Sequence, residues 1–146
     1  MKNKILNTSD RPEIILIRLM TGLVFFSEGI QKFLFVSTLG VGRFIKIGLP
    51  IPEVLAPLTG ATEIIFGAMI IFGLLTRISA IPLLIVILTA IFSTKIPILL
   101  NKGLWAAAHE ARTDFSMLLG LLFLLISGGG RWSVDRYLNK RKLSSS

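Results

Sequence analysis

Apolar residues run through this chain in four stretches of the length that crosses a lipid bilayer, ~20 mostly apolar residues each. They cover about residues 13–35, 54–76, 78–98 and 111–127. The first is interrupted by Arg18, Glu28 and Lys32, and the second by Glu63. The third carries no charge until Lys95, and the fourth has Arg112 and Asp114 near its start. Only Thr76 and Arg77 separate the second stretch from the third, which predicts a tight antiparallel helical hairpin. The expected architecture is all-α, an integral membrane four-helix bundle forming a single domain over residues 1–146.

Boundary residues agree with these spans. Pro50, Pro52 and Pro57 mark the start of the second helix. Ser79 is placed to cap the third, Pro82 falls in its first turn, and Pro97 ends or kinks it. Gly128-Gly129-Gly130 stops the fourth. Trp105 and Trp132 fall at opposite predicted interfaces, as an aromatic belt requires. Residues 41–52 are too few to span and read as an interfacial or re-entrant loop, and 140–146 as a solvated tail. Met1-Lys2-Asn3-Lys4 resembles the basic start of a signal peptide. Asp10-Arg11-Pro12-Glu13 breaks the apolar run after it, so the first span reads as a retained helix.

Composition sharpens the picture. Hydrophobic residues make up 53% of the chain, more than a soluble domain of 146 residues can bury. The net charge of +8 would suggest nucleic acid in a soluble protein. Here the basic residues sit at the ends and in loops, which argues for a membrane and against nucleic acid. Lys2, Lys4, Arg11, Arg77, Arg131 and Arg136, with the basic tail, fall on one side of a four-span topology. Arg43, Lys46, Lys95, Lys102 and Arg112 fall on the other. The richer side is expected to be cytoplasmic and to hold both termini. The absence of Cys excludes disulfides, thiol redox chemistry, Cys-ligated metals and lipidation on Cys. A single His cannot ligate haem from both faces, no Glu-x-x-His metal pattern occurs, and no phosphate-binding glycine loop is present.

The candidate chemistry lies in the intramembrane charges. With both termini inside, Glu28, Lys32, Glu63, Lys95, His109, Glu110, Arg112 and Asp114 all lie in the outer half or at the outer surface. Arg18 alone lies in the inner half. At 100° per residue, Arg18, Gly22, Phe25, Gly29 and Lys32 share one face of the first helix, with Glu28 at its edge. Ala56, Gly60, Glu63, Gly67 and Leu74 share one of the second. Small residues beside ionisable ones mark a packed side, and a charge there must pair or meet water. Glu28 and Lys32 have the i,i+4 order of an intrahelical salt bridge. The candidates for ligand contact or proton relay are therefore Glu63, Lys32, Glu28, His109, Arg112, Asp114 and Arg18. Each also has a structural reading, Glu28 with Lys32 as an ion pair, Arg18 as a snorkelling side chain, and His109 and Arg112 as headgroup residues.

The ordered set of motifs resembles the DoxX family. The resemblance lies in Arg18-Leu19-Met20-Thr21-Gly22, Glu28-Gly29-Ile30-Gln31-Lys32-Phe33, Glu63 with Gly67, and Gly73-Leu74-Leu75-Thr76-Arg77. It continues in Gly128-Gly129-Gly130-Arg131-Trp132-Ser133-Val134-Asp135, with Val134 where Leu is commoner, and extends over roughly residues 14–138. It implies a bacterial inner-membrane protein of four helices. Family members are linked to quinone-dependent sulfur oxidation and to membrane oxidoreductase complexes. Related eukaryotic membrane proteins act as cargo receptors or assembly factors.

Two functional classes follow. One is an accessory subunit that binds a quinone or a small oxidised substrate in the outer cavity, with Lys32 and Arg112 polarising a carbonyl and Glu63 and His109 relaying protons. The chain offers no redox centre of its own, so a membrane or periplasmic redox protein would supply electrons. The other is a non-enzymatic module that assembles partners, including further copies of itself, through small-residue faces. A small transporter is a weaker third. No metal is expected in any of them.

Overall fold

A computed structural model describes residues 6–144 of the chain. Lys2, Lys4, Ser145 and Ser146, which the charge argument and the tail include, lie outside the described residues. The elements are α1 (Ile14–Leu34), α2 (Val41–Lys46), α3 (Pro52–Phe72), α4 (Thr76–Ala90), α5 (Ile96–Lys102), α6 (Leu104–Ser127) and α7 (Val134–Ser144). A π-helical turn, Ile91–Lys95, joins α4 to α5 without a break. No strand occurs among the described residues.

Three helical stretches have the length and composition to cross a membrane: Ile14–Leu34, Pro52–Phe72 and Thr76–Lys102. The fourth expected span is α6, which is 24 residues long and begins at Leu104, seven residues before the apolar stretch. Glu110, Arg112 and Asp114 fall within its first half and set it apart from the other three.

The helices pack as neighbours in a ring, α1 on α3, α3 on α4, α4 on α6 and α6 back on α1. The core between them is built from Ile14, Phe25, Ile70, Leu83, Leu121 and Leu124. Outward faces are apolar as well, with Leu16, Leu23, Leu58, Ile65, Ile85 and Ile126 all more than half exposed. So much unshielded hydrocarbon around the middle of four helices suits lipid and not water.

Several boundaries differ from the sequence pattern, each for a physical reason. The third helix runs past Pro97 to Lys102. Proline lacks an amide hydrogen and its ring clashes with the carbonyl four residues earlier, here Ser93. The helix answers by widening into the π-turn, where the amide of Ile96 bonds the carbonyl of Ile91. Ser79 does not cap α4, which already begins at Thr76. Its hydroxyl instead donates to the carbonyl of Leu74. The segment 41–52 contains the short helix α2, packed on α3. Residues 140–144 of the expected tail continue α7, whose start the Ser133 hydroxyl caps by accepting from the amide of Arg136, and Lys140 and Arg141 are exposed.

The true cap of α4 comes from far along the chain. The Asp135 carboxylate accepts from the amides of Leu75 at 2.7 Å and Thr76 at 2.9 Å. It holds a turn in which Gly73 and Leu75 both have positive φ. At Gly73 a side chain is also sterically barred, since a Cβ would fall 2.8 Å from Arg18 Cζ. The N-terminal segment docks at this same end, through Ser9 to Ser127 and Arg131 to Arg11 backbone bonds and an Arg136–Asp10 ion pair.

Candidate functional site

Glycine brings the key pair together. A Cβ on Gly29 would stand 2.6 Å from the Gly60 carbonyl, so α1 and α3 approach backbone to backbone at this level. One turn beyond Gly29 lies Lys32, and one turn beyond Gly60 lies Glu63. Lys32 Nζ sits 2.7 Å from Glu63 Oε2, with the two side chains 12% and 5% exposed. Glu28 is a looser neighbour, 3.9 Å from Lys32 Nζ and half exposed. The intrahelical pair suggested by the spacing is thus secondary. The pair that matters joins α1 to α3.

A second ion pair joins the other two helices. Lys95 Nζ, presented by the π-turn, lies 3.0 Å from Asp114 Oδ2 on α6. Both pairs line one cavity of about 580 Å³, which fits a small organic ligand or the head of a larger one. Its walls come from α1, α3, α4 and α6, and α2 closes part of it with Phe44 and Arg43. The lining charges are four carboxylates, Glu28, Glu63, Glu110 and Asp114, against three cations, Lys32, Arg43 and Lys95. Around them the wall is apolar, with Phe25, Val86 and Met117.

Three of the seven sequence candidates lie elsewhere. Arg18 sits at the opposite end and is a packing hub. It is 3% exposed and donates to four carbonyl oxygens. These are Ile70 at 3.0 Å and Ile71 at 2.6 Å at the end of α3, and Gly129 at 2.8 Å and Trp132 at 2.6 Å after α6. Helix ends leave such carbonyls without partners, and one guanidinium serves two chain segments at once. His109 and Arg112 are exposed on α6 outside the cavity lining, where Arg112 Nη1 lies 2.8 Å from His109 Nε2.

Known proteins resemble the chain over most of its length. The DoxX family matches over residues 14–96, from the start of α1 to the π-turn that carries Lys95. The chain is 51% identical over 144 residues to "Uncharacterized membrane protein Rv3486" of Mycobacterium tuberculosis, covering 94% of this chain and 88% of that one. It is 30% identical over 140 residues to "Putative oxidoreductase CatD" of Bacillus subtilis, covering 94% and 95%. The chain belongs to the DoxX family. It is a membrane protein. No solved structure matches it.

In this DoxX protein the residues that sequence reasoning left out of the site are Arg43, Lys95 and Glu110. Lys95 was visible as a charge at a helix end, but its direction depends on the π-turn. Arg43 stands in α2, outside every span, and only tertiary packing brings it over the cavity. The assembled site holds two salt-bridged donor–acceptor pairs in an apolar chamber. Each pair can exchange its partner for a ligand oxygen, and a carboxylate so released can carry a proton.

Proposed function

We propose that this protein is a bacterial inner-membrane four-helix bundle with both termini cytoplasmic, and that it serves as an accessory subunit of a quinone-linked redox system. α6 is the fourth span, its charged first half facing the cavity and the outer surface. The observation that carries the functional reading is the buried Lys32–Glu63 pair lining an otherwise apolar chamber. A quinone carbonyl accepts a hydrogen bond, and its two-electron reduction takes up two protons. Lys32 is placed to donate to the carbonyl, and Glu63 to deliver a proton. With no Cys and one exposed His, the chain leaves electron delivery to a partner protein. The oxidoreductase in the name of the Bacillus subtilis relative supports the redox class.

The test is the content of the cavity. Protein purified in mild detergent is extracted and its quinone measured against protein, for the parent, Glu63→Gln and Lys32→Met. The expected result is quinone near one per chain in the parent and its loss in both variants while they stay folded. A parent free of quinone, or variants that keep it at the parent level, would rule the reading out.

A further inference from the structure

The two rims of the cavity differ in chemistry. Toward α1 and α6 the lining carries Glu28, Glu110 and Thr113. Toward α3 and α4 it carries Leu58 and Ile85, which are 58% and 62% exposed. Exposed residues that also line the chamber mark a place where it opens sideways. The level of this opening is fixed by the hairpin. Thr62 stands ten residues before the end of α3 at Phe72. That places it ~15 Å up the helix, inside a hydrocarbon layer ~30 Å thick. Ile85 stands nine residues after the start of α4 at Thr76, at the matching height.

Four hydroxyl groups along this cleft donate to backbone carbonyls of their own helices. Thr62 donates to the Leu58 carbonyl at 2.8 Å, and Thr89 to the Ile85 carbonyl at 2.8 Å. Higher up, Ser93 donates to the Thr89 carbonyl at 2.7 Å and Thr94 to the Ala90 carbonyl at 2.6 Å. Each of these four satisfies itself on its own helix, so apart from Thr59 the slot presents mostly methyl and methylene groups. A water-filled crevice would leave such hydroxyls free to bind solvent. A slot of this kind accepts a hydrocarbon chain. At its inner end the chain would meet Lys32 and Glu63. The four carboxylates and three cations of the lining give no net attraction to an anionic head.

We infer that the cavity is loaded from within the bilayer, through the cleft between α3 and α4. Its ligand is an amphiphile with a neutral, hydrogen-bonding head at Lys32–Glu63 and a hydrocarbon tail lying between Leu58 and Ile85. This deepens the ligand-site reading above and rests on its claim that the cavity binds a ligand, while leaving the identity of the head open to quinones and to neutral lipids.

The test uses the full chain in phospholipid nanodiscs and a benzoquinone carrying a decyl tail with a photoactivatable diazirine. Tail crosslinks are expected on residues 55–62 and 82–90. Leu58→Trp and Thr62→Trp narrow the slot and should each slow loading about tenfold, the scale of 1.4 kcal/mol of added steric cost. Leu16→Trp, on the exposed face of α1 and outside the lining, is the control and should load at the parent rate. Unfolding midpoints of all variants separate a blocked slot from a damaged fold. Crosslinks on α2 or on the α1–α6 rim, with both slot variants loading at the parent rate, would overturn the inference and leave the quinone reading intact. No cavity crosslink at all would overturn it too. Crosslinks in the slot, with only a neutral lipid extracted from the native protein, would support it while the quinone reading falls.

Discussion

Asp135 and Thr76 are 59 residues apart in the chain, yet the carboxylate of one accepts from the amide of the other at 2.9 Å. The cap of α4 therefore cannot form until the last long helix has returned to the same end of the molecule. Asp135→Ala should destabilise by ~1–3 kcal/mol, the loss of a charged cap serving one buried and one part-buried amide. Thermal unfolding in detergent measures it, and an unchanged midpoint would show that water replaces the carboxylate.

Arg18 works at the same end by the opposite polarity, giving hydrogen bonds where Asp135 accepts them. Arg18→Met removes a donor from four carbonyls, of which Ile70 keeps the Gly73 amide, and should cost ~3 kcal/mol or more. Arg18→Lys should recover only part of this, because an ammonium cannot reach around the fork of contacts that the guanidinium makes. Stability is the measurement, with quinone content per folded protein as the control. A variant that stays fully stable but empties the cavity would return Arg18 to the ligand site.

For the buried pair, removing one partner should hurt more than removing both. Lys32→Met or Glu63→Gln strands part of a pair that is mostly desolvated, at ~1–3 kcal/mol. Lys32→Met combined with Glu63→Leu should be milder than either cost summed. Glu28→Gln should change stability by under ~1 kcal/mol, since its side chain is half exposed and 3.9 Å away. A double-mutant cycle gives the coupling directly. A value near zero would mean that Lys32 and Glu63 are each independently hydrated.

The orientation has its own test. The chain has no Cys, so single cysteines report cleanly. Tyr137→Cys, exposed on α7, should be labelled by a membrane-impermeant maleimide only after the inner membrane is opened. Asn101→Cys, at the exposed tip of α5, should be labelled in intact spheroplasts. The reverse pattern would invert the topology.

Three of the spans were legible because hydropathy and helical period are local properties. The packed faces of Lys32 and Glu63 were legible too, since a glycine one turn before each marked them, but the spacing pointed to Glu28 as the partner of Lys32. Three things were not. Asp135 as a cap needs a contact across 59 residues, which no local pattern carries. The role of Arg18 depends on which carbonyls lie beside it, and carbonyls have no sequence signature. The exclusion of His109 and Arg112 follows from how α6 is rotated, and a helix charged on several sides near its start does not declare that rotation.

Pro97 touches none of this chemistry, yet it sets the phase of the chain. By widening the helix before it, the proline takes up one residue more per turn than an α-helix would, about a quarter-turn of rotation. Lys95 faces Asp114 because of that offset. The molecule thus keeps a charge contact between two helices by counting residues, and a position that could be mistaken for a simple helix breaker acts as its timing mark. Lengthening or shortening residues 91–95 by one would leave every side chain of the cavity present and misalign the wall they form.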